Sequence, residues 1–363
     1  MKEQLTALAA MSNKYGADPN YVLAGGGNTS YKSEDRLWVK GSGTALATIK
    51  PEDFVALERA KLAQMWTATY PEEEAAREAA VLADMMAARV EGETRRPSVE
   101  TLLHDLFPQP YILHVHPAIV NGLTCSNEGE AAMKRLFPDA VWVDACKPGY
   151  ILALLCKEKM DAYKEATGKD CALLFLQNHG IFFAGNTTAE LDEMAHGVMA
   201  ALEAAVTYKP QLEKIPYEEA KAAAYAEKLA AAYAENAAAV FTVCPEVLAY
   251  DPATKSLSPD HIVYAKAKQL ALEGTEDVEA AFAAFEKENG YKPKIVFVKD
   301  LGMFACGLTE KEASTALSVM MDAITVVAYT KSFGGVSAMP DFLIDFIVNW
   351  EVESYRAKVS QGK

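Results

Sequence analysis

The spacing of apolar positions changes repeatedly over the first two hundred residues and predicts alternating helices and short strands. An N-terminal helix opens the chain, and an Ala- and Glu-rich helix is expected near residues 72–90. Apolar runs between turn-forming residues predict strands, which are expected at residues 21–24, 37–40, 111–115, 140–143 and 172–176. This alternation is typical of the mixed α/β class.

A second part of the chain begins with a strong helical pattern. Residues 218–241 read EEAKAAAYAEKLAAAYAENAAAVF, a segment dense in Ala, Glu and Lys with Tyr and Leu recurring on one face. We therefore place a domain boundary just before this helical linker. The prediction is an N-terminal domain of residues 1–210 and a smaller C-terminal α/β domain of residues 211–363.

The two parts share an internal repeat. The segment LLFLQNHGIFFAGNTTAELDEMAHGVMAAL, from Leu173, aligns without gaps with IVFVKDLGMFACGLTEKEASTALSVMMDAI, from Ile295. Both copies predict a strand, a turn, a second strand and an amphipathic helix. The first copy carries His179 at the turn, and the second carries Leu301 there. This asymmetry favours an active first half and a structural or oligomerising second half, with chance similarity as the alternative.

Composition and charge limit the possible partners. The chain has 363 residues, a formal net charge of -15 and a pI near 5.0, which argues against nucleic-acid binding and favours a small-molecule substrate. Its opening lacks the profile of a secretory signal, and we identify no apolar stretch of about 18 residues. We therefore expect a cytoplasmic protein without a membrane span.

The cysteines predict buried, reduced thiols. No CxxC pair occurs, and most cysteines stand inside apolar segments, as expected for unpaired residues rather than disulfides or a thiolate zinc cluster. They are Cys125, Cys146, Cys156, Cys171, Cys244 and Cys306.

Two of the six histidines form an H-x-H pattern, His114 and His116, directly after an apolar run. In an extended strand, side chains two residues apart point to the same face, so both imidazoles can reach one ion. Hydrogen bonding of two polar-face histidines to their neighbours is the alternative. His179 favours the metal interpretation, since it stands in a tight turn after another apolar run. Three imidazoles predict a catalytic zinc site with a position left open for substrate.

Glu100 stands upstream in the segment RRPSVETLLHDLF, where Pro97 and Ser98 fit a helix start and Glu100 falls in the first turn. Capping of the helix, or complementing of its dipole, is the alternative role for this carboxylate. The helix runs into the His114 strand through a short turn, which can bring Glu100 beside the metal as a general base. His104, one turn further on, is expected near the site or on the surface rather than as a ligand.

Glycine-rich segments predict an anion cradle. The segment LAGGGNTSYK offers Asn28, Thr29 and Ser30 after consecutive glycines, and the following KGSG turn offers Lys40, Ser42 and Gly43. The P-loop and dinucleotide patterns are absent from the sequence, so ATP or NAD binding lacks support. Ordinary tight turns are the alternative.

Taken in order, the motifs GGGNTS, KGSG, RPSVE, HVHP and NHG resemble the class II aldolase/adducin family over roughly residues 10–205. The resemblance implies a central mixed or antiparallel β-sheet flanked by helices, and a homo-oligomer, either tetramer or dimer. It places Zn²⁺, or another divalent cation, on His114, His116 and His179. It places the acid/base carboxylate on Glu100 and phosphate contacts on Asn28, Ser42, Gly43 and Ser98. Val99 departs from the second serine that is common in the family.

The rest of the chain resembles the aldolase portion of longer proteins in which a short-chain dehydrogenase follows, and which are associated with rhamnulose-1-phosphate metabolism. Only a few residues of the chain follow NWEVESYR, so we expect no dehydrogenase activity from it. Some family members use a tyrosine as proton donor, for which Tyr150 and Tyr355 are the candidates here.

The resemblance therefore implies a zinc-dependent lyase that cleaves a ketose 1-phosphate, of the rhamnulose 1-phosphate type, to dihydroxyacetone phosphate and an aldehyde. Epimerisation or decarboxylation at the same metal site is one alternative, against which a Glu rather than an Asp at position 100 weighs. A non-catalytic scaffold resembling adducin is the other, against which the complete set of histidines weighs.

Overall fold

The computed structural model describes residues 1–350, which form two compact units. Unit 1 comprises Met1–Thr124 and Glu130–Ala204, and unit 2 comprises Cys125–Gly129 and the described residues from 205 onward. The functional division into a catalytic domain of residues 1–210 and a second domain of residues 211–363 stays a prediction.

Unit 1 is built from eight helices and seven strands within its described residues. The helices are α1 (Lys2–Gly16), α2 (Arg59–Met65), α3 (Glu74–Ala87), α4 (Thr101–Leu106), α5 (Ala118–Thr124), α6 (Gly129–Leu136), α7 (Tyr150–Thr167) and α8 (Thr188–Ala205). The strands are β1 (Asn28–Lys32), β2 (Arg36–Lys40), β3 (Phe54–Glu58), β4 (Tyr111–Val115), β5 (Val141–Val143), β6 (Leu173–Leu176) and β7 (Gly180–Gly185).

The strands of unit 1 form one mixed sheet in the order β3-β2-β1-β4-β7-β6-β5. Neighbouring strands are antiparallel except for β5 and β6, which are parallel. The middle strand, β4, is buried along its whole length, as its sequence YILHV predicts. Helices α2, α3, α4 and α7 contribute apolar residues to a core that also contains side chains of the sheet. This arrangement confirms the α/β fold class.

Helix α4 is short because prolines end it. Phe107, the residue after the helix, has an extended conformation with φ -70° and ψ 137°, as a residue before a proline prefers. Pro108 and Pro110 then lead directly into β4. The turn therefore ties the end of α4 to the strand that carries His114.

Two sequence predictions of local structure in unit 1 were wrong. Residues 21–24 form turns rather than a strand, and Ala24 has a left-handed conformation with φ 50°. The first strand begins instead at Asn28, in the segment that we interpreted as a glycine-rich loop. Its polar side chains conceal it, because a strand that faces a core is expected to be apolar.

Unit 2 contains a second, four-stranded sheet in the order β8-β11-β10-β9. Its strands are β8 (Ala238–Thr242), β9 (Leu270–Leu272), β10 (Ile295–Val298) and β11 (Gly302–Gly307). Its helices are α9 (Glu219–Tyr233), α10 (Pro245–Ala249), α11 (Pro259–Ala265), α12 (Val278–Asn289), α13 (Glu310–Thr330) and α14 (Asp341–Asn349). The helix predicted for residues 218–241 therefore ends early, and its last part is β8.

The internal repeat is present in the structure. Strands β6 and β7 pair Leu173 with Phe183, and β10 and β11 pair Ile295 with Ala305 at the matching positions. The two turns also match, because Asn178 has φ 57° and Asp300 has φ 56°. In each unit a parallel strand lies beside the first strand of the hairpin, and an antiparallel strand lies beside the second. The prediction that the two halves share a supersecondary unit is therefore confirmed.

Helix α13 corrects the prediction that no apolar stretch is long enough to span a membrane. The helical segment Glu310–Phe333 meets that requirement by length and composition, and half of its most apolar window is buried. It packs on β8, β11 and α11 and is therefore a core helix of unit 2. The predicted cytoplasmic location stays a prediction.

The cysteine prediction is confirmed. All six thiols are free, and all are buried except the half-buried Cys146.

Candidate metal centre and active site

His114 lies on the middle strand of the unit 1 sheet and is fully buried. Its Nδ1 donates a hydrogen bond to the carbonyl oxygen of Ile181 on β7, at 2.9 Å. Its ring stacks on Phe182, with centroids 3.9 Å apart and planes 12° apart. Because the carbonyl holds the proton on Nδ1, the Nε2 lone pair is available to a metal.

His116 follows β4 by one residue and turns its ring toward the same point. Its backbone N–H donates to the carbonyl oxygen of Tyr21, at 3.1 Å. The Nε2 atoms of His114 and His116 are 2.9 Å apart. The H-x-H spacing therefore brings both imidazoles together, as a strand with alternating side chains requires.

His179 joins them from the turn between β6 and β7. The preceding residue, Asn178, has a left-handed backbone, and its N–H donates to the carbonyl oxygen of Thr124 at 3.2 Å. The following residue must be glycine, because a Cβ on Gly180 would lie 2.6 Å from His116 Cδ2. The turn thus presents His179 while leaving room for the His116 ring.

The three imidazoles fit a metal ion. One ligand nitrogen from each of His114, His116 and His179 lies within 4.8 Å of the other two. Tetrahedral zinc with Zn–N bonds of about 2.0–2.1 Å holds its nitrogen ligands roughly 3.3 Å apart, so small ring movements bring them into place. Three imidazoles form the donor set of catalytic zinc sites, which keep one coordination position for substrate.

The Glu100 carboxylate lies against this group. Glu100 precedes α4, which begins at Thr101 rather than earlier as predicted, and its side chain makes no capping hydrogen bond. Its Oε1 lies 3.3 Å from the Nε2 atoms of both His114 and His179. Its Oε2 accepts a hydrogen bond from Asn28 Nδ2. The side chain of Glu100 therefore binds Asn28 and lies against two imidazoles, and it makes no hydrogen bond to the first backbone N–H groups of α4.

The surroundings of Glu100 favour its ionised form. Burial acts to raise the pKa of this carboxyl group, but the charges and hydrogen bonds of His114 and His179 hold it well below its usual value. A lowered pKa favours the carboxylate form, which is the form that a general base requires.

The predicted anion-binding segments meet near Glu100. Lys40 Nζ donates to the carbonyl oxygen of Gly25 at 3.1 Å, and the Ser98 N–H donates to the carbonyl oxygen of Lys40 at 3.1 Å. The Ser42 N–H donates to the carbonyl oxygen of Arg96 at 2.8 Å, so this amide is already engaged. The glycine-rich segment, the KGSG turn and the segment before α4 therefore form one cluster.

Gly43, Ser98 and Gly27 add further contacts and backbone features to this cluster. Gly43 has φ 83° in the KGSG turn, and Ser98 Oγ accepts a hydrogen bond from the Glu100 N–H at 3.2 Å. Gly27 has φ 69°, and a Cβ there would lie 3.0 Å from the His114 carbonyl oxygen. The glycine therefore lets the loop approach β4 closely.

The role of Thr29 in substrate binding stays a prediction, and its side chain lies on the α1 side of the strand. Its side chain is fully buried, and its Oγ1 lies 2.7 Å from the Ser12 Oγ of α1. Successive residues of a strand point to opposite faces, so Thr29 faces away when Asn28 faces Glu100. Asn28 directs its amide nitrogen at Glu100, which associates it with the acid/base group.

The sequence profile of the class II aldolase and adducin N-terminal domain matches residues 6–206. The chain belongs to this family. The matched region contains every residue of the candidate centre, from Asn28 to His179.

Individual relatives of this class II aldolase/adducin protein are distant. It is 30% identical over 193 residues to the uncharacterized oxidoreductase YuxG of Bacillus subtilis (strain 168), and the match covers 50% of this chain and 26% of the relative. It therefore spans about a quarter of that relative's length. A class II aldolase domain from Thermoplasma acidophilum is 24% identical, with a TM-score of 0.46 and coverage of 55% of this chain and 91% of that one. L-fuculose-1-phosphate aldolase from Thermus thermophilus is 18% identical, with a TM-score of 0.35 and coverage of 56% and 92%.

The two tyrosines considered as proton donors in this aldolase/adducin chain have different outcomes. Tyr150 is buried in the apolar core of unit 1, and its hydroxyl donates to the carbonyl oxygen of Met65 at 3.4 Å. Its role as a candidate proton donor stays a prediction. Tyr355 lies outside the described residues.

Sequence reasoning missed the residues that support the ligands of the aldolase/adducin site. Ile181 holds the His114 ring through its backbone carbonyl, a role that no side chain reveals. Phe182 looks like an ordinary core aromatic, although its place directly across from His114 in the strand register could have indicated it. Ser30 holds the buried His104, with 2.8 Å between Ser30 Oγ and His104 Nδ1.

The repeat shows what replaces the centre in unit 2 of this family member. Strand pairing puts His114 opposite Phe182 in unit 1 and Phe241 opposite Phe304 in unit 2. By the same register, Val243 corresponds to His116. Leu301 takes the place of His179, as predicted from the aligned sequences. Unit 2 therefore has an apolar side chain at each position that corresponds to one of the three histidines.

Proposed function

We propose that the chain is a zinc-dependent aldolase that cleaves a ketose 1-phosphate, of the rhamnulose 1-phosphate type, to dihydroxyacetone phosphate and an aldehyde. The observation that carries this proposal is the position of the Glu100 carboxylate, 3.3 Å from two imidazoles of a group that can hold a metal. Membership of the class II aldolase and adducin family supports a lyase.

The three histidines hold the ion in this proposal. When bound there, Zn²⁺ supplies Lewis-acid polarisation of the substrate carbonyl. Ile181 fixes the tautomer and orientation of the His114 ring through the hydrogen bond to Nδ1. The sheet therefore presents the ligands before the substrate arrives.

Glu100 moves the proton. In the cleavage direction the hydroxyl on C4 loses its proton to a base, the C4 carbonyl forms as the C3–C4 bond breaks, and C3 takes up a proton. The Glu100 carboxylate is ionised, buried and oriented by Asn28, so it is ready to exchange a proton with a substrate carbon or hydroxyl group. Asn28 Oδ1 has no hydrogen-bond partner among the described residues and can accept from a substrate hydroxyl.

The phosphate group is assigned to the cluster of Lys40, Ser42, Gly43 and Ser98. Lys40 supplies a buried amino group, and the serines supply short hydroxyl donors. Hydrogen bonds between the three segments hold these groups in fixed positions, which reduces the entropy cost of binding.

The test is a panel of ketose 1-phosphates incubated with the purified chain, with dihydroxyacetone phosphate detected through a coupled reductase. We expect release of dihydroxyacetone phosphate that stops on treatment with a chelator and returns with added Zn²⁺. Conversion of a sugar phosphate without its release would indicate an epimerase or decarboxylase. Absence of both bound metal and turnover would indicate a scaffold.

We also propose that the aldolase is a cytoplasmic homo-oligomer, either a dimer or a tetramer. Light scattering coupled to size-exclusion chromatography measures the oligomeric state, and a monomer at micromolar concentration would contradict the proposal.

A further inference from the structure

One face of β1 carries three buried polar side chains at alternate positions. Asn28, Ser30 and Lys32 are spaced two residues apart, so they project from the same side of the strand. Their exposed fractions are 8%, 0% and 4%. Buried polar groups destabilise a fold unless they are hydrogen-bonded, so their partners matter.

All three side chains bind the segment that begins at Glu100. The contacts run in order along that segment: Asn28 Nδ2 donates to Glu100 Oε2, Ser30 Oγ lies 2.8 Å from His104 Nδ1, and Lys32 Nζ donates to the carbonyl oxygens of Phe107 at 2.6 Å and Gln109 at 3.0 Å. We call these three side chains the β1 ladder.

The spacings of strand and helix agree. Two strand residues advance about 6.8 Å, and the four helical residues from Glu100 to His104 advance about 6 Å. The ladder therefore holds α4 in one alignment. A shift of the helix by one residue would move Glu100 by about 1.5 Å and break the ordered series of contacts.

We propose that Ser30 and Lys32 are positioning residues for catalysis, because they fix α4 so that Glu100 stays beside His114 and His179. This inference rests on the proposed function of Glu100. Misplacement of a reacting group by about 1 Å can cost roughly a hundredfold in rate, so the alignment of α4 is a catalytic requirement. The segment NTSYK thus supports the base rather than forming only an anion loop.

His104 extends the effect of the ladder toward the metal ligands. Its ring is fully buried and meets Phe182 edge-on, with centroids 5.4 Å apart. Phe182 in turn stacks on His114. Loss of the Ser30 contact therefore frees the His104 ring, which packs against Phe182, the ring on which His114 stacks.

The first experiment compares two buried serines in the same unit. Ser30→Ala removes the ladder contact, and Ser12→Ala removes an equally buried hydroxyl on α1. We expect Ser30→Ala to lower kcat roughly ten- to a hundredfold with unchanged zinc content. Ser12→Ala should keep kcat, and Ser30→Thr should recover most of it because the hydroxyl returns. Equal kcat in the two alanine variants would overturn the proposal.

The second experiment uses the geometry of the imidazole. The amide of Asn places a polar atom about where Nδ1 of His104 stands, whereas that of Gln reaches about as far as Nε2. Because Ser30 binds Nδ1, we expect His104→Asn to retain more kcat than His104→Gln. The opposite order, or equal losses, would contradict the ladder.

Hydrogen exchange separates this proposal from the proposed function. Mass spectrometry of the full chain should show faster exchange in α4 for Ser30→Ala and Lys32→Met, and unchanged exchange there for Ser12→Ala. If the wild type turns over no ketose 1-phosphate, the proposed function fails, while faster exchange would still establish that the ladder fixes α4. Faster exchange with an unchanged kcat would show that the ladder is structural only.

Discussion

Glu100 is the side chain on which the chemistry of the site depends most directly. It touches the imidazoles of His114 and His179 and the amide of Asn28, and it lies buried without a side-chain hydrogen bond that caps α4. The family resemblance predicted its position. The sequence alone would have favoured a helix cap, because a carboxylate before a helix most often has that role.

Glu100→Gln should keep the metal and lose turnover. The amide preserves size and hydrogen bonding but cannot accept a proton, so we expect kcat to fall by about 10²- to 10⁴-fold. Steady-state kinetics with zinc analysis of the same sample measure both quantities. Unchanged turnover in a zinc-loaded variant would remove Glu100 from the mechanism.

Lys32 gives the protein a specific pH dependence of stability. Burial lowers the pKa of Lys32 from its usual value of 10.5 to about 7; the charge of Asp105 acts to raise it, and that of Arg59 acts to lower it. Between these two pH values the unfolded chain binds a proton that the folded chain lacks. The free energy of unfolding therefore rises with pH in this window, by at most about 1.4 kcal/mol per pH unit.

Denaturant unfolding of the wild type and of Lys32→Met measures this contribution. Other groups titrate alike in both chains, so the wild type should gain stability relative to Lys32→Met from about pH 7.5 to about pH 9.5. A difference that stays constant across this range would show that Lys32 is charged in the folded state.

At the scale of elements, the turn between β6 and β7 decides whether the histidines can converge. A side chain at Gly180 would lie 2.6 Å from both His116 Cδ2 and the Val115 carbonyl oxygen. The turn therefore constrains a metal ligand on a different strand.

Gly180→Ala should weaken zinc binding at least about tenfold, because the His116 ring must move away from the other two. Gly197→Ala is the matched control, since no atom lies within 4 Å of a Cβ at this site on α8. That variant should gain about 0.5–1 kcal/mol of stability and bind zinc normally. Competition with a coloured chelator measures both affinities, and normal binding by Gly180→Ala would contradict the steric argument.

The elements also show where sequence reasoning succeeds and where it fails. Strand β4 was predictable because its apolar residues occur in one short run, and the H-x-H spacing then fixed which side chains share a face. The pattern concealed β1, since Ser30 and Lys32 are polar residues buried by tertiary hydrogen bonds. The helix predicted for residues 218–241 was too long because Ala is favoured in helices, whereas Asn236, with φ 58°, lies in the turn before β8.

At the scale of the whole molecule, the two units share a hairpin but differ in chemistry. The repeat and the loss of His179 from the second copy were readable from aligned residues. The correspondence of Phe241 with His114 was not, because the sequence around β8 shows no similarity that reveals which residue lies opposite Phe304. Strand register, which depends on tertiary pairing, supplied it.

We therefore expect one zinc ion per chain rather than two. Among the described residues, the histidine group of unit 1 is the set of three side chains identified as able to hold a metal. His114→Ala or His179→Ala should lower the content to near zero, while the exposed His196 provides a control in which His196→Ala keeps one ion. Elemental analysis gives the ratio, and two ions in the wild type would refute this count.

Unit 2 forms the matching hairpin with Leu301 in its turn and Phe241 on the neighbouring strand β8, without imidazoles at those positions. A cation is therefore not a precondition for this backbone, in contrast to small zinc modules whose apo forms are unfolded. By the same argument, strands and turns rather than a bound ion determine the backbone around the three histidines of unit 1. Extraction of the cation should consequently leave an intact, refillable apoenzyme whose circular dichroism matches that of the holoenzyme.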